Sequence, residues 1–171
     1  MMFEQIYIKY KDFIYNLARN YCTDSSEAED LCHDILIKIN DNFENFKGES
    51  KFSTWIYRIT VNHCLNYTRR KKIIRYCSFD FFTDDEEHKQ IELPDHTIDI
   101  EGDYDKRENQ KKIQNALSKL PERQRAAFLL NKYEDLSYQE IAEILNCTIS
   151  SVESLIFRAK QNLTKQLLKL K

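Results

Sequence analysis

Apolar side chains recur every three or four residues from the start of the chain, at Phe3, Ile6, Tyr7, Tyr10, Phe13, Ile14, Leu17, Ala18 and Tyr21. That spacing gathers them on one side of a helix and predicts an amphipathic helix over 3–21. Asp24, with Glu27 three residues on, is a capping box for a second helix. Its apolar stripe is Ala28, Leu31, Cys32, Ile35, Leu36, Ile39 and Phe43, while Glu29, Asp30, His33, Asp34 and Lys38 face elsewhere. Two such stripes pair into a hairpin. A short loop, 45–52, sets Phe46 and Phe52 around Gly48 with Lys47 and Lys51. It leads into a long helix expected to end in four consecutive basic residues, Arg69 to Lys72.

The helical period resumes later in the chain. Leu120-Pro121-Glu122 opens a helix with proline in its first turn, carrying Ala126, Ala127, Phe128, Leu130 and Tyr133. Ser137 and Glu140 form a capping box before Ile141, Ala142, Ile144 and Leu145. Asn146-Cys147 makes a break, since asparagine tolerates the left-handed backbone better than other non-glycine residues. Ser150 and Glu153 read as a further capping box for a last helix with Val152, Leu155, Ile156, Ala159, Leu163, Leu167 and Leu168. Two helices, a tight turn and a small Ala142 at the crossing spell a helix-turn-helix. Any packed helical hairpin with a tight corner can imitate that pattern.

Composition supports the helical reading. Only two glycines and two prolines occur in 171 residues, too little turn material for a sheet-rich fold, so the expected class is all-α. No apolar run reaches the roughly 20 residues needed to cross a bilayer, and no secretory leader opens the chain, so no membrane insertion and a cytoplasmic location are expected. The five cysteines are scattered without C-x-x-C spacing, which favours reduced thiols over disulfides or zinc. Neighbours such as Cys32-His33 and His63-Cys64 point in different directions on a helix and cannot easily share one ion. No metal and no cofactor are expected.

Charge divides the chain more sharply than composition. The net charge is -2, yet residues 1–79 carry +2, residues 80–108 carry -9 and residues 109–171 carry +5. The middle stretch lacks a sustained helical period and is too acidic to collapse, so an extended linker is expected between two small helical domains, 1–79 and 109–171. By composition alone it is a solvated connector. The halves are expected either to move independently or to close with the linker screening DNA-binding residues.

The loop and long helix of the first half combine aromatics with cations. Unpaired bases stack on aromatic faces while Lys and Arg hold phosphates; equally, Phe52, Trp55 and Tyr57 could be core, and cations near a helix C-terminus suit the macrodipole without any ligand. No catalytic carboxylate pair, glycine-rich phosphate loop, HExxH or nucleophile motif is present, so nothing points to an enzyme.

These residues together resemble the extracytoplasmic-function group of the sigma factor family. AEDLCHD (28–34) stands where that family docks on RNA polymerase, and FKGESKFSTWIYRITVN (46–62) matches its promoter-melting stretch almost position for position. LPERQRAAFLL (120–130), LSYQEIAEIL (136–145) and SSVESLIFRAK (150–160) resemble its region 4. The resemblance implies a transcription initiation factor with core RNA polymerase (clamp and flap) and promoter DNA as partners, and an anti-sigma factor as a further one. It implies polymerase contacts at Asp30, Leu31, His33 and Asp34. It implies minus-10 contacts at Phe46, Lys47, Gly48, Ser50, Lys51, Phe52, Trp55, Arg58, Asn62, Arg69 and Arg70. Minus-35 contacts fall on Ser150, Ser151, Glu153, Ser154, Arg158 and Lys160. The acidic linker would then thread a basic channel as a nucleic-acid mimic.

Two departures stand out. The family more often has Gln than His33, and basic residues where this chain has Glu153 and Leu155, which weakens the phosphate term. Leu155 then reads as core, and Glu153 as either a capping partner of Ser150 or an acceptor for a cytosine amino group. The alternative is a stand-alone helix-turn-helix regulator, which would bind its operator without polymerase.

Overall fold

The computed structural model describes residues 3–48, 50–79 and 112–168. The expected linker, 80–108, lies outside them. Regular structure among the described residues is helical throughout, as the all-α reading requires: α1 (Phe3–Arg19), α2 (Ser25–Asp41), a 3-10 turn at Phe43–Asn45, α3 (Phe52–Phe79), α4 (112–118), α5 (Glu122–Tyr133), α6 (Tyr138–Leu145) and α7 (Ile149–Leu168). None of these helices is long and apolar enough to cross a membrane.

The first half is a hairpin with a third helix laid across it. Ile6, Tyr10, Ile14 and Leu17 of α1 are buried, as are Leu31, Ile35 and Ile39 of α2, the stripes expected from their spacing. Ile56, Val61 and Cys64 of α3 complete this core with no exposed surface. Each such aliphatic side chain contributes about 1.5–3 kcal/mol by leaving water. Thr60, buried among them, satisfies its hydroxyl by donating to the Ile56 carbonyl at 2.9 Å.

Local capping follows the sequence at two helix starts. Asp24 Oδ1 accepts from the Glu27 amide at 2.8 Å, and Glu27 reaches back to the Thr23 amide. Ser137 and Glu140 close a reciprocal box at the start of α6. At the third start the structure corrects the reading. Thr148, not Ser150, caps α7, its Oγ1 accepting from the Ser151 amide at 3.2 Å, so Ser150 is already inside the first turn and does not hold Glu153. Capping is decided by which hydroxyl sits just outside the first helical residue, and Thr148 fills that place.

The long helix also departs from expectation. It runs on to Phe79, so Arg69 to Lys72 lie within α3 and do not end it. Cations favour a helix end but do not impose one, and no Gly or Pro follows. Pro121 sits at the N-cap of α5, one position before its first turn.

In the second half, Leu120, Ala126, Ala127, Leu130, Ile141, Ile144, Val152, Ile156 and Ala159 make the core. Alanines at 126, 127 and 159 let α5 and α7 approach closely. Between α6 and α7 the chain turns through Asn146 at φ 48°, ψ 60°, the left-handed break expected there, with the Cys147 amide bonded back to the Ala142 carbonyl. The helix α4 has no counterpart among the elements expected from the sequence.

The two halves are packed together. Tyr21 Oη donates to the Glu122 carbonyl at 3.1 Å, and Arg125 Nη1 donates to the Asn20 carbonyl while its guanidinium lies 4.9 Å from the Tyr21 ring centroid. In this arrangement helices α5 and α6 cover part of the first half; the expected closure by the linker, 80–108, lies outside the described residues.

Candidate nucleic-acid interface

Three surfaces carry the residues singled out by sequence, and each is built differently. On α2, Asp30, His33 and Asp34 project into solvent from one side, while Leu31 is 3% exposed. Leu31 therefore belongs to the core stripe and is corrected as a contact residue; its neighbours form an exposed acidic face that the second half leaves uncovered. Cys32 and His33 diverge as helix geometry requires, the thiol buried and the imidazole exposed.

The loop and the start of α3 form an aromatic cluster. The Phe46 ring centroid lies 5.2 Å from that of Phe52 and 5.3 Å from that of Trp55, and Phe52 and Trp55 stack with centroids 5.6 Å apart and 25° between their planes. All three are half-buried; Phe52 and Trp55 pack on the core, Phe46 packs on them, and part of each remains open. The reading as core and the reading as stacking platform are thus not exclusive. Gly48, at φ 73°, adopts the left-handed conformation that L side chains resist, and it turns the loop with Lys47 exposed beside it. Ser50 is half-buried, and Asn62, Arg69 and Arg70 are exposed further along α3.

Several cations of this surface are engaged by the other half. Lys51 Nζ pairs with Glu140 Oε1 at 3.0 Å, and Arg58 Nη2 donates to the Glu143 carbonyl at 3.1 Å. Tyr57 Oη donates to Glu134 Oε2 at 3.0 Å, and Lys72 pairs with Glu122 at 2.6 Å. Lys71 turns inward to Glu27 at 2.7 Å. Hydrogen bonds from Lys51 and then Ser137 hold the Glu140 carboxyl down at about 2. Burial raises the Glu134 carboxyl above its ordinary range, against the Tyr57 hydrogen bond that lowers it. Tyr57 is not a contact that the sequence picks out; nothing in its neighbours signals a partner 77 residues away.

The third surface is the outward half of α7. Ser150, Ser151, Glu153, Ser154, Arg158 and Lys160 are all exposed on the side opposite Val152, Ile156, Ala159 and Leu163. Leu155 is half-buried and packs against the core, as the departure at that position suggested. In the middle of the polar face stands Phe157, 61% exposed. Sequence reasoning passed it over, although it follows Glu153 and Ser154 at the one-turn spacing that puts helical residues on a shared face. The supporting turn is tied by Arg123, whose Nη2 donates to the Leu145 carbonyl at 2.8 Å.

Comparison with known proteins matches residues 6–73 to the family described as Sigma-70 region 2 and residues 110–163 to Sigma-70, region 4. The RNA polymerase sigma-H factor of Pseudomonas aeruginosa is 32% identical over 96% of this chain and 86% of its own length. The ECF RNA polymerase sigma factor SigW of Bacillus subtilis is 32% identical over 92% of this chain and 84% of its own. The ECF RNA polymerase sigma-E factor of Haemophilus influenzae is 31% identical over 93% and 84%. Among solved structures, the sigma factor RpoE in complex with the anti-sigma factor NepR from Bartonella quintana superposes with a TM-score of 0.74 over 99% of this chain and 98% of that one, at 24% identity, a likeness of fold.

Proposed function

Because the chain belongs to the extracytoplasmic-function group of the sigma-70 family, we propose that its two halves divide the promoter between them. The protein is a transcription initiation factor that works with RNA polymerase and promoter DNA, with no enzymatic chemistry of its own. The reading of a stand-alone regulator is not favoured. On the proposed division, residues 1–79 dock on polymerase and take the minus-10 element, residues 80–108 connect, and residues 109–171 read the minus-35 duplex.

The observation that supports this most directly is that one chain carries two unlike DNA-facing surfaces. The half-buried cluster of Phe46, Phe52 and Trp55, with Lys47, Lys51 and Arg58 nearby, suits unstacked bases and their phosphates. Extruding a base costs a few kcal/mol, which stacking must offset. The exposed half of α7 suits the major groove, with Ser150, Ser151, Ser154, Arg158 and Lys160 as hydrogen-bond and phosphate donors. Glu153, exposed and not held by Ser150, accepts from a cytosine amino group, and Phe157 meets a thymine methyl. Asp30, His33 and Asp34 form the polymerase contact, held in place by Leu31 beneath them. The protein acts in the cytoplasm, where polymerase is, and an anti-sigma factor is its further partner, as one is for the solved relative from Bartonella quintana.

In vitro transcription with bacterial core polymerase on a promoter library tests the reading. Start sites that depend on both proteins and share an upstream pair of motifs are expected. Specific retention of DNA without polymerase, and no new transcripts, would refute it.

A further inference from the structure

Between α1 of the first half and α4 and α5 of the second lies a cavity of about 380 Å³ that plays no part in promoter reading. Phe13, Tyr15 and Leu17 supply one wall, Ile113, Leu117 and Tyr133 the other. Arg19 lines the same cavity. It is 8% exposed, and its Nη1 and Nη2 are both buried without a hydrogen-bond partner among the described residues.

The other buried arginine of the seam shows how unusual this is. Arg125, 7% exposed, spends its terminal nitrogens on the carbonyls of Asn20, Ser118 and Leu120. The fold satisfies both terminal nitrogens of one guanidinium and neither terminal nitrogen of the second, which lines a cavity. A guanidinium stays charged in a protein, so it cannot escape the cost of burial by losing its proton. What completes it is an acceptor, and the planar fork of two N–H groups matches a carboxylate or a phosphate. Beside the amides of Asn16, Asn20 and Gln114, the walls are largely aromatic and aliphatic, a surface that a bare inorganic anion does not use. Glu134 also lines the cavity, which disfavours a doubly charged ligand, although its carboxylate is bonded to Tyr57.

We propose that this cavity is a binding site for a small organic carboxylate with an apolar body, its carboxylate on Arg19 and its body between α1 and α4–α5. The size falls within the range that small-molecule pockets occupy. Because the walls come from both halves, the site is complete only while they are packed together. Ligand therefore favours the closed arrangement by mass action; at ten times its Kd the gain over the separated state is about elevenfold. Binding itself does not depend on the promoter assignments above.

The test uses the full chain, with 3-phenylpropionate, phenyl phosphate, inorganic phosphate and 3-phenylpropanol as probes, followed by ligand-observed NMR and amide shifts. Phenylpropionate is expected to bind with a Kd of about 1 mM or tighter, reasonable for a ligand of roughly ten heavy atoms. The alcohol and inorganic phosphate should bind at least about tenfold more weakly, and Arg19→Gln should weaken phenylpropionate by a similar factor. The ligand-free melting temperature of Arg19→Gln should hold or rise by about 2–4 °C, since a buried charge without an acceptor is replaced by a neutral amide. Ile113→Trp, which keeps Arg19 and adds bulk at the half-exposed wall of the cavity, should weaken binding at least about tenfold and serves if Arg19→Gln fails to fold. Absence of binding at about 10 times the expected Kd overturns the proposal, as does equal binding to wild type and either variant. Inorganic phosphate or phenyl phosphate binding more tightly than phenylpropionate overturns the assignment to a carboxylate.

Discussion

Deleting one hydroxyl at the seam should open the molecule. Tyr57→Phe removes the donor to Glu134 Oε2, a 3.0 Å bond to a carboxylate that is half-buried in the closed state. The ring keeps its contacts with Phe13 at 4.4 Å and Tyr10 at 6.4 Å, so packing within the first half is unchanged. A hydrogen bond to a charged group contributes about 1.5–3 kcal/mol when buried, and partial exposure takes this one to roughly 1–1.4 kcal/mol. That is about a five- to tenfold shift toward the open state. Fluorescence transfer between dyes attached through noncanonical residues at Asn40 and Gln161, both exposed and on opposite halves, reads the population directly. Separation should increase in the variant at unchanged helical content. If the distance distribution of Tyr57→Phe overlays that of wild type across a salt titration, the seam does not rest on this bond and the reasoning fails.

Three other outcomes follow from the structure. Arg158→Ala should lower transcription from promoters with a minus-35 element and reduce the salt slope of duplex binding by about one, while leaving minus-10 preference alone; gel-shift titrations over a salt series check it. Asn146→Ala should destabilise the protein by about 1 kcal/mol, because the left-handed turn at φ 48° strains an alanine, whereas Asn146→Gly should be near neutral; urea denaturation separates them. The Glu27 carboxyl is pushed up by burial but brought down to about 2 by its bonds from Lys71 and Thr23. Its pKa is depressed, so its stabilisation is present above its ordinary value of 4.5 and is lost as pH falls from there toward 2. Wild type should therefore lose more melting temperature between about pH 5 and pH 3 than Glu27→Gln does.

Legibility followed the range of the interaction. The stripes of α1 and α2 and the boxes at Asp24 and Ser137 are local patterns, and their spacing placed them. At α7 two hydroxyls competed within three residues, and only the start of the helix at Ile149 made Thr148 the cap. The helix α4 rests on Ala116 and Leu117, with Leu120 just beyond its end, too few apolar positions to show a period before there is a core for them to meet. Leu31 fell inside a stretch recognised as a unit, and its own place in the apolar stripe was the signal that it points inward. The resemblance located the three surfaces but not the seam between them. Charge suggested a screening role for the acidic linker, which lies outside the described residues; the carboxylates that meet the first half are Glu122, Glu134 and Glu140 of a net-basic second half.

The seam also has a consequence for how the sequence can change over time. Three of its cross-links end on main-chain carbonyls, those of Asn20, Glu122 and Glu143. Every amino acid brings that oxygen, so as acceptors of these bonds the three positions are free to drift while the backbone path is kept, although the Glu122 side chain also pairs with Lys72. Only the donors, Tyr21, Arg125 and Arg58, constrain side-chain identity. For these links the joint survives wide divergence on the accepting side, whereas the side-chain pairs Tyr57–Glu134, Lys51–Glu140 and Lys72–Glu122 constrain both partners.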